Sequence, residues 1–180
     1  AIANAFLKRG AKVTLILGPS NEMITHPNLT LKRIVSAEQM FTEVKAYWPK
    51  SEIGIFSAAV ADYRPKVVEG QKIKKKDDQL TIELIKNPDL LKWAGSNKKE
   101  NQLLVGFALE TENEKDNAKV KLTNKNLDMI VLNSLNDSGA GFAHNTNKIA
   151  IFDKHNNSVD FELKTKQEVA ENILDYLKNL

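Results

Sequence analysis

The chain has 180 residues, 42% of them hydrophobic and 27% charged, which suits one globular domain with a sizeable core. A net charge of +3 is too mild for a dedicated nucleic-acid binder and fits a small anionic ligand at least as well. The absence of cysteine excludes disulfides, thiolate nucleophiles and thiolate metal sites. No apolar run is long enough to span a bilayer and no signal-peptide pattern is present, so the expectation is a cytoplasmic protein with no membrane partner.

Ala1 to Arg9 has helical composition, with Ile2, Ala5 and Phe6 on one side and Gly10 as a natural stop. Lys8 and Arg9 sit at the negative end of its dipole. This helix has no N-cap, and no initiator Met precedes it. The expectation is therefore that a first strand and the turn leading into the helix are missing. In nucleotide-binding α/β folds that turn often cradles phosphate. No GxGxxG or GxxxxGK[ST] motif occurs.

Lys12 to Leu17 reads as a strand closed by Gly18-Pro19, and Leu29 to Val35 as a second. Ser36 and Gln39 form a capping box into a helix through Tyr47 and Trp48, stopped by Pro49. Glu52 to Ala59 reads as a central strand buried on both faces, which shrinks to small residues (Ser57, Ala58, Ala59, Ala61) as it ends. Ligands of open α/β sheets sit beyond such strand ends. Asp62 follows, and then Lys72 to Lys76. An acid beside a basic cluster suits a metal-phosphate ligand. The same residues also suit ordinary packing and a solvated hairpin.

Lys72 to Lys76 can pair with Leu80 to Ile85 over Asp77-Asp78. Asn87-Pro88-Asp89 opens a helix to about Ser96, with Asn87 as cap and Pro88 at its first position. Gln102 to Ala108 is a buried strand that ends small, followed by Glu110-Thr111-Glu112-Asn113 and a helix to about Asn124. Lys121 and Lys125 share a face of that helix. Their mutual repulsion would be relieved by an anion, although a solvated face explains them equally. Leu127 to Asn133 is the next strand. A long loop with Gly139, Gly141 and Phe142 follows it. Lys148 to Phe152 and Ser158 to Leu163 form a hairpin over Asn156-Asn157, and Thr165 with Glu168 caps a terminal helix.

Alternating strands and helices give an α/β class: a Rossmann-like, mostly parallel sheet with helices on both faces plus β-hairpin extensions. Four segments would share one sheet edge: Ser57 to Asp62, Phe107 to Thr111, Asn133 onward, and the loop after Gly18. His26, His144 and His155 lie in separate loops without ligand spacing, which argues against zinc. Ser57 lacks the context of a hydrolase elbow.

Ala58-Ala59-Val60-Ala61-Asp62-Tyr63, with Lys72-Ile73-Lys74-Lys75 ten residues after the acid, resembles the signature of phosphopantothenoylcysteine synthetases. Lys86-Asn87-Pro88-Asp89-Leu90-Leu91, Gly106 to Thr111, Lys125 to Ile130, and Gly141-Phe142 with Asn147 to Phe152 resemble further segments of that family, in the same order. The resemblance implies a ligase that joins phosphopantothenate to L-cysteine in coenzyme A synthesis, through an acyl-cytidylate formed from CTP with Mg²⁺. It implies a nucleotide site made by Phe56, Ser57, Ala58, Asp62, Pro88, Asp89, Leu90, Leu91, Phe107, Lys121 and Lys125. Lys72 would contact the triphosphate and act in catalysis. Asp62 would act through Mg²⁺ or a sugar hydroxyl, and the residue types leave both open.

The family's asparagine lies in an S-N-x-S-S-G-K-x-G segment ahead of the first helix. Residues 1–180 are therefore expected to form a single synthetase domain that begins just after it. An upstream fused or associated decarboxylase, carrying FMN, is compatible with this. A homodimer is expected, with Leu80 to Ile85 and Lys148 to Leu163 as contact candidates. Competing readings are an ATP-using relative, a Rossmann-like binding module without catalysis, and nucleic-acid binding through Lys72 to Lys76. The last ranks lowest, because no aromatic platform interleaves those lysines.

Overall fold

The computed structural model of the protein describes residues 1–73, 79–110, 112–134 and 145–180. Lys74 to Asp78, Thr111, and the segment 135–144 with Gly139, Gly141, Phe142 and His144 lie outside the described residues. The chain opens with α1 (Ile2–Lys8), β1 (Val13–Leu17), β2 (Leu29–Arg33) and α2 (Ala37–Tyr47). Then come β3 (Ile53–Phe56), β4 (Tyr63–Pro65), β5 (Leu84–Lys86), α3 (Leu90–Ser96) and β6 (Leu103–Glu110). α4 (Glu114–Asn124), β7 (Met129–Ser134), β8 (Thr146–Asn147) and β9 (Ile149–Asp153) follow. β10 (Ser158–Asp160), β11 (Lys164–Thr165) and α5 (Lys166–Leu177) close the chain.

The main sheet has five strands in the order β10-β9-β7-β6-β3. β3, β6 and β7 are parallel, while β9 runs antiparallel to β7 and β10 antiparallel to β9. Its apolar runs are explained by burial on both faces. Leu104, Ala108, Ile130, Leu132, Ala150 and Phe152 pack with α2, α3 and α4. The alternate positions Val105, Met129, Val131, Ile149 and Ile151 pack with α5, and Ile2 and Phe6 of α1 join that core. Gly106 is a point of close helix approach. A Cβ there would meet Leu127 Cδ1 at 2.8 Å and Leu91 Cδ2 at 2.9 Å, so α3 is seated directly on β6.

Several expectations shift. The stretch expected as a central strand spans only Ile53–Phe56 and, among the described residues, lies at the sheet edge and pairs with β6 alone. β1 and β2 pair in parallel as a separate two-stranded sheet. The expected pairing of Lys72 to Lys76 with Leu80 to Ile85 does not occur among the described residues. Tyr63–Pro65 pairs with Leu84–Lys86 instead, with Pro65 on this short two-stranded edge. Val67, Val68, Ile73, Leu80 and Ile82 of this arm are exposed, so no packing against the body extends the ladder. The hairpin at Lys148 to Leu163 is no appendage: β9 is buried throughout, and only β10 is exposed.

Caps behave unevenly. Thr165 and Glu168 make the full box. Ser36 Oγ accepts from the Gln39 N–H, but the Gln39 side chain accepts from Val35 N–H rather than closing the box on Ser36. Pro49 sits in a 3₁₀ turn, Trp48–Lys50, that extends α2 rather than ending it outright. Gly10 has φ +85, as its role in ending α1 requires. Among the described residues no helix is long and apolar enough to cross a membrane.

Candidate functional site

Because β3, β6 and β7 are parallel, their carboxyl ends open at one edge of the sheet. A cavity of about 650 Å³ lies there. Ser57, Ala58 and Ala59, just past β3, are exposed and leave their backbone open to a ligand. The start of α3 forms a second wall and Phe107 of β6 contributes to the floor. The cavity continues between β3 and β1, where Ile16, Val44 and Trp48 make it apolar.

α3 is tied to the loop after β3. The Asn87 N–H donates to Asp62 O at 2.8 Å, and Asn87 Nδ2 donates to Ala61 O at 2.8 Å. Asn87, expected as helix cap, is thereby spent on the loop. The cap is Asp89, whose side chain accepts from Lys92 N–H at 2.9 Å.

The cations come from α4 and the residue that ends it. Lys121 Nζ donates to Phe107 O at 2.8 Å, and Lys125 Nζ lies 3.0 Å from Asp89. Lys125 thus has a carboxylate partner while Lys121 has a neutral one, and the repulsion expected of the pair persists. Burial, and then the charge of Lys125, push the Lys121 amine below the ordinary lysine range, while Glu110, Asp89 and Asp62 oppose this. Burial works to raise the Asp89 carboxyl, but the Lys92 N–H and Lys125 outweigh it and hold it low. Lys125 is also fixed from behind. Gly95 of α3 packs so closely on the Lys125 carbonyl that a Cβ there would overlap it.

Phe56, Ser57, Ala58, Asp62, Pro88, Asp89, Leu90, Leu91, Phe107, Lys121 and Lys125 all border this one cavity. Lys72 does not; it is exposed on the arm beyond β4. The loop after Gly18 is also absent from the wall; Arg33 donates to its Ser20 O and Glu22 O. No group of three His, Asp or Glu residues suited to a metal exists among the described residues. Asp62 fits Mg²⁺ only as one carboxylate beside ligand phosphates, the usual arrangement for that ion. Sequence reasoning did not single out Lys86, Asn147 and Lys166, which also border the cavity. Asn147 donates to Asn133 Oδ1 at 2.9 Å. Only the strand-end position of Asn133 hinted at this, since no local pattern joins residues so far apart.

The chain is similar to known proteins throughout its length. It is 47% identical over 174 residues to a cysteine/cysteine sulfinic acid decarboxylase from an unknown prokaryotic organism, covering 97% of this chain and 48% of that protein. It is 44% identical over 175 residues to the coenzyme A biosynthesis bifunctional protein CoaBC of Haemophilus influenzae, covering 97% of this chain and 43% of that protein. The chain thus spans less than half the length of these relatives. The crystal structure of the C-terminal domain of a CoaBC protein superposes with a TM-score of 0.79 at 34% identity, over 98% of this chain and 78% of that one. Residues 1–180 match the DNA/pantothenate metabolism flavoprotein C-terminal domain, and the chain belongs to that family.

Proposed function

We propose that this chain is the synthetase domain of a coenzyme A biosynthesis enzyme, joining 4'-phosphopantothenate to L-cysteine at the expense of CTP. The observation that carries this is the strand-end cavity. An exposed small-residue backbone at Ser57 to Ala59 faces the start of α3, with Lys121 and Lys125 at its edge. That arrangement supports the reading of an anion site. The similarity to CoaBC over nearly the whole chain supports the substrate choice.

In the proposed reaction, the substrate carboxylate attacks the α-phosphorus of the nucleotide. The α–β phosphoanhydride bond breaks and pyrophosphate leaves with its electron pair. The cysteine amine then attacks the acyl carbon, an amide bond forms, CMP leaves, and the amine loses a proton. The protein's part is positioning and charge neutralisation. Lys121 and Lys125 offer positive charge to the phosphates. The backbone after Phe56 holds the base and sugar. Asp62 is the carboxylate for Mg²⁺ or a sugar hydroxyl; when bound, Mg²⁺ would neutralise phosphate charge. Lys72 acts from the arm on the departing pyrophosphate.

Decarboxylation, named for one relative, needs an electron sink such as a flavin. FMN would belong to a fused or associated decarboxylase, as the lengths of the bifunctional relatives allow. Exposed apolar residues on the arm and the open edge of β10 support a homodimer. The proposed setting is the cytoplasm.

Calorimetric titration of the intact protein with Mg-CTP and Mg-ATP tests the reading, with CTP expected to bind preferentially. Preferential ATP binding would leave the chemistry and change the nucleotide. Asp62→Asn is expected to weaken Mg-nucleotide more than free nucleotide; equal weakening would move Asp62 to the sugar or base. A binding module without catalysis is favoured by one observation, the position of Lys72 outside the cavity. No turnover by the intact protein despite nucleotide binding would support that alternative, whereas Lys72→Ala with an unchanged rate would only remove Lys72 from the mechanism.

A further inference from the structure

Arg64 and Asn87 have no part in the reaction as derived above, yet they make a connected set of polar contacts at the rim of the cavity. Asn87 is buried and satisfied on both sides. Its Nδ2 donates to Ala61 O at 2.8 Å, and its Oδ1 accepts from Arg64 Nη1 at 3.1 Å. The same Arg64 nitrogen donates to Lys86 O at 3.1 Å, and Nη2 pairs with Glu38 of α2 at 2.7 Å. Pairing of β4 with β5 accounts for the backbone bond from Asn87 to Asp62, since Tyr63 and Lys86 are already opposite each other. It does not account for the side-chain bond to Ala61, which reaches past the ladder into the irregular loop.

We infer that Arg64 and Asn87 form a latch that sets the spacing between the Ala58 to Asp62 backbone and the start of α3, and so are positioning residues for the nucleotide. This rests on the nucleotide reading given above. The planar guanidinium suits the task, because one rigid fork holds an amide, a carbonyl and a carboxylate at fixed angles. The consequence extends further. With Asn87 committed to the loop, Asp89 caps α3 and also holds Lys125. Loop, helix start and cation are therefore positioned together. Arg64 also lies on β4, the root of the arm, so the latch fixes the direction in which the arm leaves the body.

The test compares Asn87→Ala, Arg64→Lys and Glu38→Gln in the intact protein. Arg9→Gln serves as a stability control, because it removes an ion pair between α1 and α5 far from the cavity. Three quantities are read: KM for CTP against kcat, hydrogen exchange of the 57–62 amides without ligand, and the thermal midpoint. A positioning group misplaced by about 1 Å can cost on the order of 100-fold. Asn87→Ala is expected to raise KM toward that extent, with a smaller fall in kcat and faster exchange in 57–62. Arg64→Lys should fall between it and Glu38→Gln, with Arg9→Gln leaving KM and exchange unchanged. A folded Asn87→Ala with wild-type KM and exchange overturns the latch. If Asn87→Ala does not fold, Arg64→Lys decides: raised KM and faster exchange support the latch, and wild-type values overturn it. If the parent protein binds neither CTP nor ATP, the nucleotide reading falls. The exchange series then judges the latch alone, supporting it if exchange quickens and overturning it if not.

Discussion

Two clusters in this molecule share a composition, two lysines around one aspartate, and differ in everything else. At the start of β7, Asp128 is 1% exposed. It accepts from Leu104 N–H at 2.7 Å, Lys154 Nζ at 2.8 Å and Lys98 Nζ at 2.9 Å. At the opposite end of the sheet, Asp89 meets Lys125, while Lys121 beside it spends its proton on the Phe107 carbonyl. In the first cluster the carboxylate is buried and held by three donors, and both lysines pair with it. The second borders a cavity, and among the described residues the hydrogen bond of Lys121 goes to a neutral carbonyl. Composition alone does not distinguish a brace from a site. Burial and the state of the acceptors do.

The largest expected effect breaks the brace. Asp128→Ala leaves Lys98 without its buried partner, and a loss of about 3–5 kcal/mol of folding stability is expected from denaturant unfolding. Nucleotide affinity of the remaining folded protein should be unchanged. Next, Lys121→Met should leave the thermal midpoint near that of the parent but weaken nucleotide binding by about 2 kcal/mol, the loss of a bond to a charged group. If both variants lowered stability alone, the two clusters would be the same kind of object. Gly95→Ala lies between them. Its new methyl overlaps the Lys125 carbonyl, so a loss of about 1–3 kcal/mol in stability from overpacking is expected, together with weaker nucleotide binding.

Titration sharpens the contrast. Burial works to raise the Asp128 carboxyl, but Lys154, Lys98 and the Leu104 N–H more than offset it and hold it low. Its contribution is present above the ordinary aspartate value, near pH 4, and is lost as pH falls below it. Lys121 is held low instead, so the proposed anion site should begin to lose charge at a lower pH than an ordinary lysine would. Acid unfolding followed beside nucleotide affinity at rising alkaline pH separates the two. Tyr176 adds a smaller alkaline effect. Burial, then its bond to Asp153, push it up to about 12. Its contribution holds below about pH 10 and fades between there and about 12.

Much of this was legible from residue order. The buried runs at Leu103–Glu110 and Met129–Ser134 and the Thr165–Glu168 box appear where local pattern places them. The cavity wall was legible through small residues after Phe56 and through the family resemblance. The arm was not. Its apolar residues imply a longer ladder, yet they stay exposed, because strand length here depends on packing that the body does not supply. The helix cap was misplaced by two residues because Asn87 had a competing use that only tertiary contact reveals. The edge position of β3 was likewise hidden, since an apolar run does not show which neighbours a strand has.

The most direct measurement is calorimetric titration of Mg-CTP and Mg-ATP into the intact protein and into its Lys121→Met variant. The account predicts preferential CTP binding to the parent, weakened in the variant without a matching fall in thermal midpoint. Failure of the parent to bind either nucleotide, or equal binding by parent and variant, would contradict the assignment of this cavity.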